Sequence, residues 1–502
     1  MLFVFGGNEM STAEKTKEQK VVSMKEMIIF FMGTFFYTNM TGMLGSYRQA
    51  YLVNVLQVSS DKVAFINSFC GIAGFALSFF LTMIIDRAPK PGHSKFKPLV
   101  LTWAIPTGIT MVLLFYTPSF ISTTSAMIVV YLIAMQMIYN IASGFTGQIN
   151  SIAVVMSPNS SERDTILTWR GIVNAIGNSA PLVVVLVAGL ITKNESLQYL
   201  GSAILCAIVA VVFLLLSGKT VKERIAYSSK KVNPILGYAD ILKNKYAWVV
   251  IISEFLKSFR GVATYMGVFL AAALLGSTSK YILLGLPTGV GTFIGMLIVK
   301  AFLKKFNSKQ IYIASGVYSL VVNGLAFAVG VTYFKTGSSV WQIVFILTLF
   351  LIGLQFGASN LLPDMFKADI LEDLEVKTHK RLDASIGFVC SIGSTVSGAI
   401  AGAVAPIVLY GSHSIIQYIQ PIDGVTQEQS LKTKILLLFF YTIVHGIMML
   451  LAGVPFFFYK LTGKTKEEVH EAALSFRAEV ASQQQSMGQN AAVVNGEDAN
   501  DQ

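Results

Sequence analysis

Twelve long apolar stretches, separated by short polar connections, dominate this chain of 502 residues. They run at about 26–54, 62–86, 97–118, 122–155, 165–192, 197–217, 245–275, 279–303, 309–334, 339–370, 383–411 and 433–460. Most exceed the ~20 residues that a helix needs to cross a bilayer. A segment surrounded by lipid must pair its backbone N–H and C=O groups internally, which favours helices. The composition agrees, since 54% of the residues are hydrophobic and only 13% are charged. A soluble domain carries about 25% charged residues, enough to cover its surface. The expected fold is an all-α polytopic membrane protein with 12 transmembrane helices.

The basic residues set the expected orientation. The net charge is +11, and its sources lie in alternate connections. Lys15, Lys17, Lys20 and Lys25 precede the first stretch. Further groups lie at Arg87 to Lys97, Lys219 to Lys245, Lys300 to Lys309, Lys367 to Arg381 and Lys460 to Lys466. The opposite connections hold only Lys62, Lys193, Lys280, Lys335, Lys432 and Lys434. Basic loops stay in the cytoplasm, so both termini are expected there, in a cell (inner or plasma) membrane. The partner implied by the charge is membrane lipid and not nucleic acid. Met10 opens an ordinary polar leader, so either Met1 or Met10 serves as the start, and the first apolar run reads as an uncleaved anchor.

The longest basic connection, 218–244, follows the sixth stretch and divides the chain. The expected organisation is a leader (1–25), a six-helix bundle (26–217), a connector (218–244), a second six-helix bundle (245–461) and a tail (462–502). This is the major facilitator plan of two bundles around a solute path. Lys466 to Val480 has Val469, Ala473, Phe476 and Val480 at helical spacing, an amphipathic surface helix. The rest of the tail is rich in Gln, Asn and Ser. The chain is read as a monomer.

Other functional classes lack their residues. Cys70, Cys206 and Cys390 each lie inside an apolar run and form no CxxC pair, so no disulfide or metal site is expected. No HExxH, GxSxG or phosphate-loop pattern occurs, which argues against an enzyme, a resident cofactor or ATP-driven transport.

Three basic connections carry a family pattern. They are IDRAPKPGHSKFKPLV (Ile85 to Val100), SPNSSERDTILTWR (Ser157 to Arg170) and PDMFKADILEDLEVKTHKRLDAS (Pro363 to Ser385). In order and position they resemble the loops after the second, fourth and tenth helices of the glycoside–pentoside–hexuronide:cation symporters, the melibiose permease family. The resemblance covers about 26–460. It implies a major facilitator transporter of sugars or sugar acids, driven by a co-transported cation. It also implies that Lys377, matched to a lysine at the start of the eleventh helix, lies near the ion and sugar sites. With Asp369 and Glu254, Lys377 is a coupling candidate. Asp86, Arg87, Glu162, Arg163, Asp369, Glu372 and Arg381 place opposite charges at the cytoplasmic helix ends, where they can serve as a gate.

Ionisable residues inside spans cost roughly 2.5–3.5 kcal/mol each near mid-helix and mark functional positions. Glu254, Lys257 and Arg260 fall at i, i+3 and i+6 of the seventh span, so Glu254 and Lys257 can pair. Their functional reading is solute binding in a central cavity; the structural alternative is an ion pair or snorkelling. Arg48 in the first span faces either the cavity mouth or the interface. Tyr37, Thr38, Thr146 and Gln355 offer hydrogen bonds to a hydroxylated solute or between helices. Trp169, beside Arg170, offers a stacking face for a sugar ring.

The sequence departs from the family at its acidic residues. The two acids that form the cation site on the second helix fall near Gly74 and Ser78. The sugar-contacting carboxylates fall near Thr38 and Thr146. A sodium ion needs several oxygen ligands to offset dehydration, whereas a proton needs one titratable group, and Glu254 is the acid within a span. The expected function is therefore secondary transport of a sugar, glycoside or sugar acid, linked to protons rather than sodium. The alternatives are uncoupled facilitation, a lipid-like or other organic solute, and a solute sensor that does not transport.

Overall fold

A computed structural model describes residues 21–85, 94–157, 160–224, 234–378, 383–422, 425–473 and 475. Among these residues every regular element is helical. Eleven helices are long and apolar enough to cross a membrane. Numbered with the shorter apolar helix Lys97–Leu113, the crossings are α1 (Met24–Val55), α2 (Ser60–Leu81), α3 (Lys97–Leu113), α4 (Met127–Val155), α5 (Thr165–Ile191) and α6 (Glu195–Thr220). They continue as α7 (Lys245–Leu275), α8 (Thr278–Phe302), α9 (Ser308–Thr336), α10 (Ser339–Thr378), α11 (Ile386–Leu409) and α12 (Leu431–Phe458).

Two boundaries differ from the sequence reading. The third crossing stops at Leu113 and not near 118. There Arg48 Nη1 donates to the carbonyl of Leu114 at 3.0 Å, and the Tyr131 hydroxyl donates to that of Leu113 at 3.0 Å. These side chains satisfy carbonyls at the helix end, so the helix stops without leaving them unpaired. At the other extreme α10 continues to Thr378, eight residues past the expected 370. Its acidic and basic residues there pair along the helix, Lys367 with Asp364 and Lys377 with Asp373.

One apolar core gathers α1 to α6, and two others gather α7 to α12. The halves exchange a few residues. Val53 packs into a second-half core, while Val268 and Ile282 pack into the first. All three lie near the end away from the basic loops. Hydrogen bonds tie the halves together at the same end: Gln57 Nε2 donates to the Pro421 carbonyl at 2.7 Å, and Gln420 Nε2 donates to that of Val53 at 2.7 Å. Below them α2 lies against α11, where Gly71 faces Ala399 and Phe75 stacks on Phe388 at 5.2 Å with 10° between the planes.

Within the second half α8 and α10 nearly touch. Gly291 and Gly295 face Gly353 and Gly357, a four-residue spacing on both helices. A Cβ on any of the four would come within 2.2 Å of a backbone atom opposite. Without a hydrophobic force between helices in lipid, such small-residue contacts maximise dispersion.

The described end of the tail forms a helix over 464–473. Lys466 pairs with Asp369 at 2.7 Å and His470 Nδ1 lies 3.0 Å from Glu372, docking this helix on the basic end of α10. Ala473 is buried; Phe476 and Val480 lie outside the described residues.

Candidate functional site

The seventh crossing is broken. Helix runs over Lys245–Ser258 and again over Gly261–Leu275. Between them Arg260 N–H bonds to Lys257 O at 3.1 Å, a tighter turn than the α-helix makes. Gly261 lies beside α11, where an added Cβ would meet Ala401 in ordinary contact at 3.4 Å. The turn presents three charged side chains to a cavity of about 480 Å3 shared by both halves. Gly45 and Gln49 of α1 line one side. Glu254, Lys257 and Arg260 line another, with Asn360 of α10 and Gly398, Ala401 and Gly402 of α11.

The charges are unequally matched. Lys257 Nζ lies 2.6 Å from Glu254 Oε1 and also donates to the Ser359 carbonyl at 3.3 Å. Arg260 forms no ion pair among the described residues. Its guanidinium carbon lies 4.5 Å from the ring centre of Phe356, a cation–π contact. The cavity therefore carries one cation beyond its own anion. Tyr265 lines the same cavity, and its buried hydroxyl has no hydrogen-bond partner. Gln49 and Asn67 exchange amide hydrogen bonds at 3.1 and 3.3 Å, and Asn67 also donates to Gly402 O at 3.0 Å. That network fixes the cavity wall between α1, α2 and α11.

Of the residues singled out in the sequence, Glu254, Lys257 and Arg260 come together here, and the others lie elsewhere. Tyr37 donates to Ser143 O at 3.1 Å, joining α1 to α4. Thr38 bonds back into its own helix at Thr34 and Phe35. Thr146 is fully buried and shares a hydroxyl contact of 2.7 Å with Thr107. Arg48 is buried within the first half, on the carbonyl of Leu114. Arg170 donates to Asn150 O, and Trp169 is 52% exposed. Gln355 lines a second cavity of about 550 Å3, apolar and bounded by α8, α9 and α10, and both its amide atoms are unpartnered. That cavity belongs to one half alone, off the path between the two.

Of the residues expected to form a gate, Glu162, Asp369 and Glu372 are described, at the basic end. Glu162 accepts the N–H of Val21 and Val22, each at 3.2 Å, and the hydroxyl of Ser157 at 2.6 Å. Burial pushes this carboxyl up, but those three donors outweigh it and hold it below the ordinary glutamate value. Lys377 sits in the last turn of α10 on Asp373 at 2.7 Å, and not at the start of the eleventh helix. Asp86, Arg87 and Arg381 lie outside the described residues, as does the side chain of Arg163.

Sequence reasoning missed Gln49, Asn67 and Tyr265, and also a buried acid, Glu195. None of the first three is charged, and neutral polar residues are common between membrane helices. Glu195 lies two residues before the limit assigned to its span, where it reads as a loop residue.

Two six-helix halves around a polar cavity define a transporter of the alternating-access class. The family model for MFS/sugar transport proteins matches residues 29–463, and the chain belongs to that family. YagG of Escherichia coli K12, a candidate glycoside/cation symporter by name, is 22% identical over 475 residues, which cover 89% of this chain and 91% of YagG. YjmB of Bacillus subtilis 168, named as an uncharacterized symporter, is 23% identical over 465 residues, which cover 90% of this chain and 95% of YjmB. The inward open structure of the xylose transporter XylE from E. coli superposes with a TM-score of 0.60 at 15% identity, covering 89% of this chain and 99% of XylE. That likeness is one of fold.

Proposed function

We propose that this chain is a secondary transporter for a small hydroxylated solute bearing an anionic group, such as a sugar acid. The observation that carries this reading is the unpaired Arg260 in the shared cavity, beside a Glu254–Lys257 pair that is neutral as a unit. A carboxylate on the solute supplies the missing anion. A planar guanidinium binds it through two parallel N–H donors. Asn360 and Gln49 supply hydrogen bonds to hydroxyls. The symporter names of YagG and YjmB support transport over catalysis or sensing.

The coupling ion in this reading is the proton. Gly74 and Ser78 bring no charge to α2, and the Ser78 hydroxyl donates back to Gly74 O at 2.8 Å. Glu254 is the acid that faces the cavity. Because Lys257 already neutralises it, uncoupled facilitation is the second reading. The basic end is cytoplasmic, with both termini, and the two halves correspond to 26–217 and 245–461, joined by 218–244. The contacts of Asp369 with Lys466 and of Glu372 with His470 hold the tail helix on the cytoplasmic end of the second half. The protein acts as a monomer.

Uptake into proteoliposomes tests the proposal. Neutral sugars, glycosides and uronides are offered under an imposed proton or sodium gradient. Uronide uptake above protein-free vesicles, stimulated by a proton gradient, is the expected result. Preference for neutral sugars overturns the anionic assignment. Stimulation by sodium alone overturns the choice of ion.

A further inference from the structure

The acid that sequence reasoning passed over lies at the contact between the halves, at the end away from the basic loops. Glu195 opens α6 and is 6% exposed. Its Oε2 accepts from Asn54 Nδ2 of α1 at 3.1 Å, and its Oε1 accepts from the Thr278 hydroxyl of α8 at 2.9 Å. Thr278 belongs to the second half, so the carboxyl bridges the two. Tyr199, one turn along α6, shares a hydroxyl contact of 2.6 Å with the same Thr278. Asn54, Thr278 and Tyr199 are buried with it.

No ion pair reaches Glu195 among the described residues. The titratable side chains facing it are phenols, Tyr199 on its own helix and Tyr418 from the loop after α11. Tyr47 of α1 lies behind Tyr199, with ring centres 5.5 Å apart. The nearest cations in sequence, Lys193 and Lys280, are exposed, and Lys280 donates to Leu275 O. A carboxylate enclosed with neutral donors alone bears the cost of a buried charge. Asn54 Oδ1 is buried and lacks a donor in the orientation whose N–H faces Glu195. The two ends of an amide side chain are interchangeable in shape. With the amide turned over, a hydroxyl hydrogen on Glu195 donates to that oxygen.

We propose that Glu195 is a proton-binding site of the outer contact, loaded when the two halves are closed over it and emptied into external water when they part. The proton passes between the carboxyl and the outer solution, and no other bond changes. The proposal rests on the alternating-access fold and on the orientation proposed above, not on the identity of the solute. The closed form binds the proton more tightly than the open form. External acid therefore favours closure, and external alkali, above the closed-state value, favours opening. Between the two titration midpoints the closed-to-open ratio changes up to about tenfold per pH unit.

The test reads the outer contact directly, without a solute. A cysteine is placed at Val58, whose carbonyl accepts the Tyr410 hydroxyl across the halves. Its labelling by an impermeant maleimide is followed in proteoliposomes while external pH is varied at constant internal pH. A cysteine at the exposed Ser122 corrects for the chemistry of the thiol. We expect corrected labelling to fall several-fold as external pH drops from about 8 to about 5, and Glu195→Gln to hold it low throughout. Glu195→Asp should restore the dependence with a moved midpoint. A wild-type protein without pH dependence overturns the proposal, as does Glu195→Gln with the wild-type profile. If Glu195→Gln is not recovered as monodisperse protein, Asn54→Ala serves instead: a shifted midpoint supports the site and an unmoved one overturns it. A uronide that is not transported leaves these outcomes readable and counts only against the solute assignment.

Discussion

Replacing Arg260 by Gln separates charge recognition from cavity shape. In the free protein the guanidinium rests on Phe356 at 4.5 Å, and no described carboxylate pairs with it. Losing that stack costs about 0.5–2 kcal/mol, and removing a half-buried charge offsets part of the loss. Thermal stability in detergent should therefore move little. Binding of an anionic solute should suffer much more. A charge-assisted hydrogen bond contributes about 1.5–3 kcal/mol, so affinity for a uronide should fall about 10- to 150-fold. A neutral sugar of the same shape should lose less than about threefold, since no charge-assisted bond is at stake. Arg260→Lys keeps the charge but loses the planar fork, so its uronide affinity should lie between those of wild type and Arg260→Gln. Equilibrium binding to purified protein, with both ligands on all three proteins, gives the full comparison. Equal losses for neutral and anionic ligands would show that Arg260 shapes the cavity without reading charge, and the anionic assignment would fail.

Glu254→Gln should abolish acceleration of uptake by an inward proton gradient while leaving counterflow in place; unchanged gradient dependence removes Glu254 from coupling. Gly357→Val places side-chain atoms where Gly295 and Met296 backbone already lie within 2.3 Å of a Cβ. It should prevent recovery of monodisperse protein, whereas Gly398→Ala, with open space around its Cβ, should fold normally by size-exclusion chromatography. The Glu162 carboxyl is held below its ordinary value by Ser157, Val22 and Val21. Its contribution is present above the unfolded value and lost as pH falls through the folded one. Ser157→Ala should lower stability by about 1 kcal/mol at neutral pH, and the difference should shrink in acid, as read from melting curves against pH.

The crossings were legible because apolar length is a one-dimensional property, preserved whatever helices pack against. The Glu254, Lys257 and Arg260 set was legible for a related reason: charge inside a span is rare enough to stand out. The break between Ser258 and Gly261 was not, since no proline marks it. Arg48 shows the limit of reading charge alone. Its burial on the Leu114 carbonyl depends on where α3 stops, which periodicity does not state. Glu195 was hidden by the boundary itself, because a residue at a span limit reads as solvated until a second-half partner, Thr278, is placed over it.

The seam between α2 and α11 has consequences for speed. Phe75 and Phe388 meet face to face, and Gly71 and Ala399 offer little relief on which the helices can catch. Flat rings and small side chains can shear past one another, and the directional bond of this seam, Asn67 Nδ2 to Gly402 O at 3.0 Å, lies toward its outer end. This strip acts as a bearing, while the fastenings that must be undone run from Asn67 and Gly402 outward to Gln57 and Gln420. The barrier to turnover then resides at the rim of the molecule rather than along its axis.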